Sequence, residues 1–577
     1  MAKRAKNRKP SPSPAAAPAP RSVQDDYLLI LRAAVILALG LFIYWPSLNG
    51  DWLWDDRDLI ADNALIHNPD GLWKIWFQPT VMFDFLPLKI SVEWIEWRLF
   101  GEETLGYHLV SLALHLASVF LLWRLFFKLG LRYAWLGALL FLVHPVQVES
   151  VAWIAELKNT LSLPFFLVAM IAWLDYDARG KRTSYALAIG LFLLAMLSKP
   201  TMVMFPFVVL LHAWWRRGRI TVKDLLASAP FFLVSLAIGT ATVAFLGKTA
   251  GEQHVLLGGP LSRLACAGLS LAFYFSKCVL PLDLMSIYPR WNIDPPSPLQ
   301  FLPWPIIAGV LWFLWSKRTG WGRHALFGLG FFVLNLLPFI GLNAGSYMNY
   351  SWVMDHLLYI PMIGLVALAI AAAQLPALPQ RIAAAFLAVI VAWMTWASHG
   401  YASLYTSLDA LWGHNVAVNP NAALPHNDLG VAFARKGQIA EALAQFRIAA
   451  ALDPRYTDAH HNFALELLST GHPGDALPEF EIVRKLSPTN AESYYNIGVA
   501  LTQLDRDAEA IPEYQHALAL DPNYPAACNN LAVSLARLKR LDEALATVQA
   551  GLKIAPSDPS LQNTLAALLE MQKAQHR

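Results

Sequence analysis

Two aspartates stand side by side at Asp55 and Asp56, just beyond an apolar run over 27–48. A carboxylate at a membrane boundary can act as a general base, hold a metal ion, or belong to a solvated loop. Further along the chain, Lys158, Lys199, Lys277, Arg290 and His356 stand in or beside apolar runs. Isolated charges in such places are costly, so each is expected to have a partner or a task. Cations opposite a carboxylate suit one reaction class. The carboxylate takes the proton of an acceptor hydroxyl, and the cations stabilise a departing phosphate. Lys158 also fits a simpler role, snorkelling to the membrane interface. A divalent cation (magnesium or manganese) is compatible with this chemistry but not demanded, because lysines and arginines can hold a phosphate alone.

Positioning these residues is the task of a largely apolar chain. Of its 577 residues 56% are hydrophobic and only 15% charged, against roughly 25% charged in soluble domains. The deficit is confined to 27–400. Apolar candidates for membrane helices lie at 27–48, 107–128, 131–146, 156–174, 184–198, 201–216, 226–247, 261–281, 302–316, 324–341, 354–373 and 382–400. The basic start, MAKRAKNRK, is expected to stay cytoplasmic, and short loops at 128–132, 179–182, 216–223, 317–323 and around Arg381 carry the Lys and Arg expected of inner loops. That pattern needs an odd number of crossings. The segment 261–281, with Arg263 and Lys277 inside its apolar run, is the weakest candidate. About eleven spans are therefore expected, with the C-terminal region outside.

In that topology the long loop 49–106 faces outward. Its Asp51, Asp55, Asp56, Asp58 and Asp62 alternate with Trp52, Trp54, Trp73 and Trp76, which suggests short helices lying on the membrane surface. Residues 1–26 are basic and proline-rich and should form a disordered cytoplasmic tail. The net charge of +3 gives no argument for nucleic acid. Cys266, Cys278 and Cys528 have no metal-site spacing and read as small core residues. His108 and His115, in an apolar helix, read as packed core histidines.

The last third of the chain has a strict period. Prolines fall at 420, 454, 488, 522 and 556, each 34 residues after the last, and small residues recur at 430, 464, 498 and 532. This is the tetratricopeptide period, in which each repeat is a helix pair stacked on the next. Four repeats are expected over 423–556 and a capping helix after them, so that 423–577 forms the arm and 401–422 a linker and entry helix. Asp428, Asn462, Asn496 and Asn530 share one phase on the first helix of each repeat. Such a ladder can bond the backbone of an extended peptide, and it resembles the one in the superhelix of O-GlcNAc transferase. The alternative is a set of common repeat residues facing water.

Five strings occur in order: WDDRDLIADNALI, GYHLVSLALHLASVFLLWRLF, HPVQVESVAWIAELKNTLS, LAMLSKPTMVMFP and VMDHLLYIPMIG. Together with the repeats they resemble the transmembrane and tetratricopeptide-repeat O-mannosyltransferases and their bacterial relatives. The resemblance implies the fold of the C-type membrane glycosyltransferases and a polyprenyl-phosphate sugar as donor. It implies a first-loop acid at Asp55 or Asp56, a second element at His144 and Glu149, a lysine at Lys199, and a late element at Asp355 and Tyr359. The sequence departs from the family pattern at three places: Leu86 replaces an arginine before Pro87-Leu88, with Lys89 close by; Ser111 replaces an asparagine; and His356 replaces an arginine.

The expected architecture is all-α, a polytopic membrane bundle over 27–400 followed by an α-solenoid. The expected activity is transfer of one sugar, mannose or another hexose, from a polyprenyl phosphate to a hydroxyl, with Ser or Thr of an exported protein as acceptor. Asp56 is the narrow preference for the base over Asp55. Lys199, Lys277, Arg290 and Lys158 are the candidates for the phosphate, and Asp428, Asn462, Asn496 and Asn530 for the peptide. The expected setting is a bacterial inner membrane with the arm outside. A non-catalytic scaffold for envelope assembly and a transporter of lipid-linked sugars are the alternatives. A scaffold has no need of the aspartate pair, and a transporter needs polar residues along a continuous path.

Overall fold

A computed structural model describes residues 23–78, 82, 84–249, 257–342, 345–373 and 380–575. The expected tail falls largely on 1–22, and the turn before Arg381 on 374–379, both outside the described residues. Residues 23–26, counted with the tail, begin the first helix, Val23–Tyr44.

All regular structure among the described residues is helical. The protein is a multi-pass membrane protein: among the described residues seven helices are long and apolar enough to cross a bilayer. Helices suit this setting because lipid offers backbone groups no partner. Ile154–Arg179 is the most buried of the seven and is the central helix, whereas Pro298–Ser316 is the least buried and lies at the rim.

The other expected spans take different forms. The run 131–146 becomes a pair, Ala134–Val143 and Pro145–Ala152, bent by 62°. Pro145 lacks an N–H and cannot extend the first helix, and His144 is extended there. Arg182–Ser198 and Met362–Ala372 are apolar but short. The run 201–216 divides into a 3-10 turn at Pro200–Met204 and the helix Phe205–Arg217. The weakest candidate is the helix Pro260–Val279, which is less apolar than the seven and carries Arg263 and Lys277. It buries Ala265, Cys266, Leu271 and Tyr274 and leaves Arg263 outside.

Among its described residues, loop 49–106 holds three short α-helices, Ala64–His67, Gly71–Phe77 and Pro87–Phe100, after a π-helical turn at Arg57–Ala61. They close over a small apolar core that includes Trp52, Ile60, Ile66, Ile75 and Ile90. Trp73 and Phe77 remain exposed, as expected of a surface against lipid headgroups.

The arm is built from helix pairs. They are Ala423–Arg435 with Ile439–Leu452, Thr457–Ser469 with Pro473–Leu486, Ala491–Gln503 with Asp507–Leu520, and Pro525–Arg537 with Leu541–Ile554; Pro559–Gln575 follows. The small residues have a steric reason. A Cβ at Gly430 would sit 2.6 Å from the Phe446 ring, and one at Gly498 would sit 2.6 Å from that of Tyr514.

The segment 401–422 is not a loose tether. Helix Leu408–Val418 buries Leu411 and Trp412 in the same apolar core as the membrane helices, and Leu429 of the first repeat joins that core. Asn415 Oδ1 accepts from Ile287 N–H at 2.9 Å, and its amide donates to Ile287 O at 3.2 Å. Asn419 donates to the same carbonyl at 3.1 Å. The root of the arm is therefore fastened to the loop after Pro260–Val279.

Candidate functional site

The first loop turns sharply at Trp54, whose φ of +39° is unusual for a bulky residue. Its ring stacks on Trp153 at 5.1 Å and 3°, and Trp412 and Tyr350 meet it edge-on. This aromatic clamp fixes the two residues that follow, and it fixes them differently. Asp56 is fully buried, and both its oxygens are engaged: Leu53 N–H donates to Oδ2 at 2.9 Å and Ala155 N–H donates to Oδ1 at 2.7 Å. Burial pushes its carboxyl up to about 8, against the pull of those two bonds. Asp55 is half-buried, and its carboxylate accepts no hydrogen bond among the described residues. Burial raises it to about 6, with Lys158 opposing and Glu156 adding to the rise.

Asp56 ties the loop to the start of the central helix, and Asp55 is the carboxylate left open.

Beside Asp55 lies a connected polar cluster. Lys158 pairs with Glu156 at 2.7 Å. Asn159 donates to Glu156 at 2.6 Å and accepts from Lys199. His356 Nδ1 lies 3.1 Å from Glu149 Oε1, His356 N–H donates to Glu149 Oε2 at 3.2 Å, and Nε2 is 3.8 Å from Glu156. Five separate segments thus meet, and Lys199, Glu156 and Asn159 are all buried. The reading of isolated charges missed Glu156 and Asn159. Both stand in the string AELKN beside Lys158, where a buried cation needs a counter-charge.

Other candidates lie elsewhere. Lys277 donates to the carbonyls of Leu282 at 2.5 Å and Asp283 at 3.2 Å and does not join this cluster. Arg290 donates to Met348 O and lies over the Trp352 ring at 4.8 Å. Both stay apart because they fasten the segment that carries the arm. His144 caps the bend, with Nδ1 accepting from Val146 N–H at 3.3 Å and Nε2 3.1 Å from Cys278 O. Tyr359 packs in the core against His115, 2.8 Å from its Nδ1. Asp355 forms a second, closed network, accepting from Tyr288 at 2.8 Å and Tyr401 at 3.2 Å. Lys89, near the lost arginine position, is buried and held by Glu93 at 2.5 Å. Among the described residues no three His, Cys, Asp or Glu side chains converge as a metal-ligand set.

The ladder of the arm is partly spent on stacking the repeats. Asn462 donates to Asn427 at 3.0 Å and Asn530 donates to Tyr495 Oη at 3.2 Å, each reaching the preceding repeat. The Nδ2 of buried Asn496 has no partner among the described residues. Asp428 is half-buried and accepts from Asn427 at 2.9 Å.

Comparisons with known proteins agree with the resemblance drawn from the sequence. Tetratricopeptide-repeat family models match residues 461–525 and 505–568. A Caenorhabditis elegans protein O-mannosyl-transferase is 28% identical over 160 residues, which is 25% of this chain and 23% of that protein. Protein O-mannosyl-transferase TMTC3 of Mus musculus is 29% identical over 154 residues, 25% of this chain and 16% of the relative. The chain thus matches less than a quarter of the length of these relatives. Among solved structures, a MamA protein of Desulfovibrio magneticus RS-1 is 22% identical, covering 26% of this chain and 85% of that chain with a TM-score of 0.25.

Proposed function

We propose that the chain is a membrane glycosyltransferase of the C-type fold that moves one sugar, mannose or a related hexose, from a polyprenyl phosphate to a Ser or Thr hydroxyl of an exported polypeptide. The observation that carries this reading is the open Asp55 carboxylate beside the Lys158–Glu156–Asn159–Lys199 cluster. Asp55 takes the acceptor proton as the hydroxyl oxygen attacks the anomeric carbon. The bond from that carbon to the phosphate oxygen breaks, and its electrons leave with the phosphate. Lys158 and Lys199 stabilise the charge that develops there. Glu156 and Asn159 hold the two lysines in place, and His356 is held in turn by Glu149.

Two further features support the reading. A small recess beside Lys199, walled by Met202, Phe339, Leu357 and Ile360 with Thr201 and Asn335, sets apolar side chains next to a cation assigned to the phosphate. The names of the relatives point to the same donor sugar and a protein acceptor. In this reading the site and the arm face the outer side of a bacterial inner membrane. Lysines at the phosphate make a divalent cation dispensable.

The test is transfer in proteoliposomes holding a labelled polyprenyl-phosphate mannose and a pool of Thr-containing peptides. Labelled glycopeptide is the expected product. Release of free sugar with no glycopeptide, or no consumption of any polyprenyl-phosphate hexose, would count against the reading.

A further inference from the structure

The first repeat does not stack on a linker alone. Its helix Ala423–Arg435 faces the first loop across an open cleft of about 110 Å³. Trp52, Trp54, Arg57, Trp412, Asp428 and Arg435 line it. Three observations show that this cleft is built for an occupant.

First, it has an unpaired donor. The indole N–H of Trp412, in the cleft wall, is buried and has no partner among the described residues. Buried indoles ordinarily find an acceptor, so this orphaned donor requires explanation. Second, the ladder changes chemistry here. Repeats two to four carry Asn at this phase, and the first repeat carries Asp428. A carboxylate can only accept, and Asp428 Oδ1 is engaged by Asn427 while Oδ2 has no partner among the described residues. Third, the cleft adjoins the open carboxylate. Asp55 follows Trp54 in sequence, and the charges of Asp55 and Asp458 both reach Asp428.

We propose that this cleft is the acceptor subsite and that it takes an extended polypeptide segment, which passes between Trp54 and the first repeat with its hydroxyl at Asp55. A polypeptide backbone presents what the cleft lacks. A carbonyl accepts from the Trp412 indole, and an N–H donates to Asp428. Contacts to the main chain read no side-chain sequence, so the cleft selects unfolded segments over folded surfaces. Asp428 and Trp412 are positioning residues, since neither touches the reacting atoms. The proposal rests on Asp55 being the acceptor base, but its test does not depend on transfer.

The test uses full-length protein in detergent without donor lipid. A photoreactive p-benzoylphenylalanine replaces Val431 at the cleft or Ala444 on the outer helix of the same repeat. The probe is a fluorescent pool of random 15-residue peptides, each with one central Thr. Labelling is expected at 431 and not at 444. Asp428→Asn and Trp412→Phe should each lower labelling at 431 about fivefold, the effect of losing one hydrogen bond; Asp428→Asn should do so at an unchanged unfolding temperature, so that a loss in that variant is not one of folding. Equal labelling at 431 and 444, or full labelling in both variants, overturns the proposal. Asp55→Asn should bind the pool normally while losing transfer. Retained transfer in that variant would instead count against Asp55 as the base.

Discussion

Asp55 and Asp355 sit in two polar clusters made of similar materials, and the clusters differ in what they leave unfinished. Around Asp355 two tyrosine hydroxyls donate to the two carboxylate oxygens, and Tyr405 backs Tyr401 at 3.4 Å. That network is closed and buried, as a structural polar core must be. Around Asp55 the cations are in place and mutually held, yet no donor reaches the carboxylate among the described residues. A satisfied network adds rigidity, whereas an unsatisfied carboxylate facing fixed cations is arranged for a ligand. The same contrast separates Asp55 from its neighbour Asp56.

If the contrast is right, the largest effect falls on Asp55. Asp55→Asn should lower transfer on the order of 10²–10⁴-fold at constant stability, the worth of a positioned base. Asp56→Asn should mainly destabilise the first loop, because the amide nitrogen cannot accept from a backbone N–H. Turnover with labelled donor and thermal unfolding in detergent, measured on both variants, separate the two roles. Next, Lys199→Met should lower transfer roughly 10²–10³-fold, as loss of one charge-stabilising group does. An equal loss in Lys277→Met would break the assignment of Lys277 to the other region.

Asp355→Asn should reverse the pattern, costing about 1–3 kcal/mol of stability, the usual penalty for disturbing a satisfied buried group. Transfer per folded molecule should fall far less than in Asp55→Asn. In the arm, Asn462→Ala and Asn530→Ala should each cost about 1 kcal/mol, since both side chains bond the preceding repeat. Urea titration of the arm reads this directly. The smallest effect concerns the turns inside the repeats. Gly437 and Gly471 have φ of +73° and +78°, and Asp505 and Lys539 occupy the equivalent left-handed position at +59° and +62°. Lys539→Gly should stabilise the arm by about 0.5 kcal/mol, the balance of relieved strain over glycine entropy.

The legibility of the molecule divides along the same line. The arm could be read because each helix pair repeats at 34 residues and buries a residue from the same phase, from Gly430 against Phe446 to Gly498 against Tyr514. The all-α membrane half could be read because lipid forces long apolar helices. Its shorter and bent members escape such counting, since buried helices in a bundle need not span it alone. The site was legible only as a set of charged residue types. Which of them meet is decided by contacts such as Ala155 N–H to Asp56, 99 residues apart. Sequence spacing carries no trace of that bond, and so Asp56 looked as free as Asp55. Likewise nothing local distinguishes Lys199, facing Asn159, from Lys277, which holds a loop carbonyl.

The most direct measurement is the pH dependence of sugar transfer in proteoliposomes with donor saturating. Asp55 must be ionised to accept a proton, and burial raises its carboxyl to about 6. Transfer should therefore be full above that pH and fall about tenfold per unit as pH drops below it. Asp55→Asn should be slow and lack this step. A wild-type rate that stays flat down to pH 4.5, with Asp55→Asn transferring equally fast, would contradict the account.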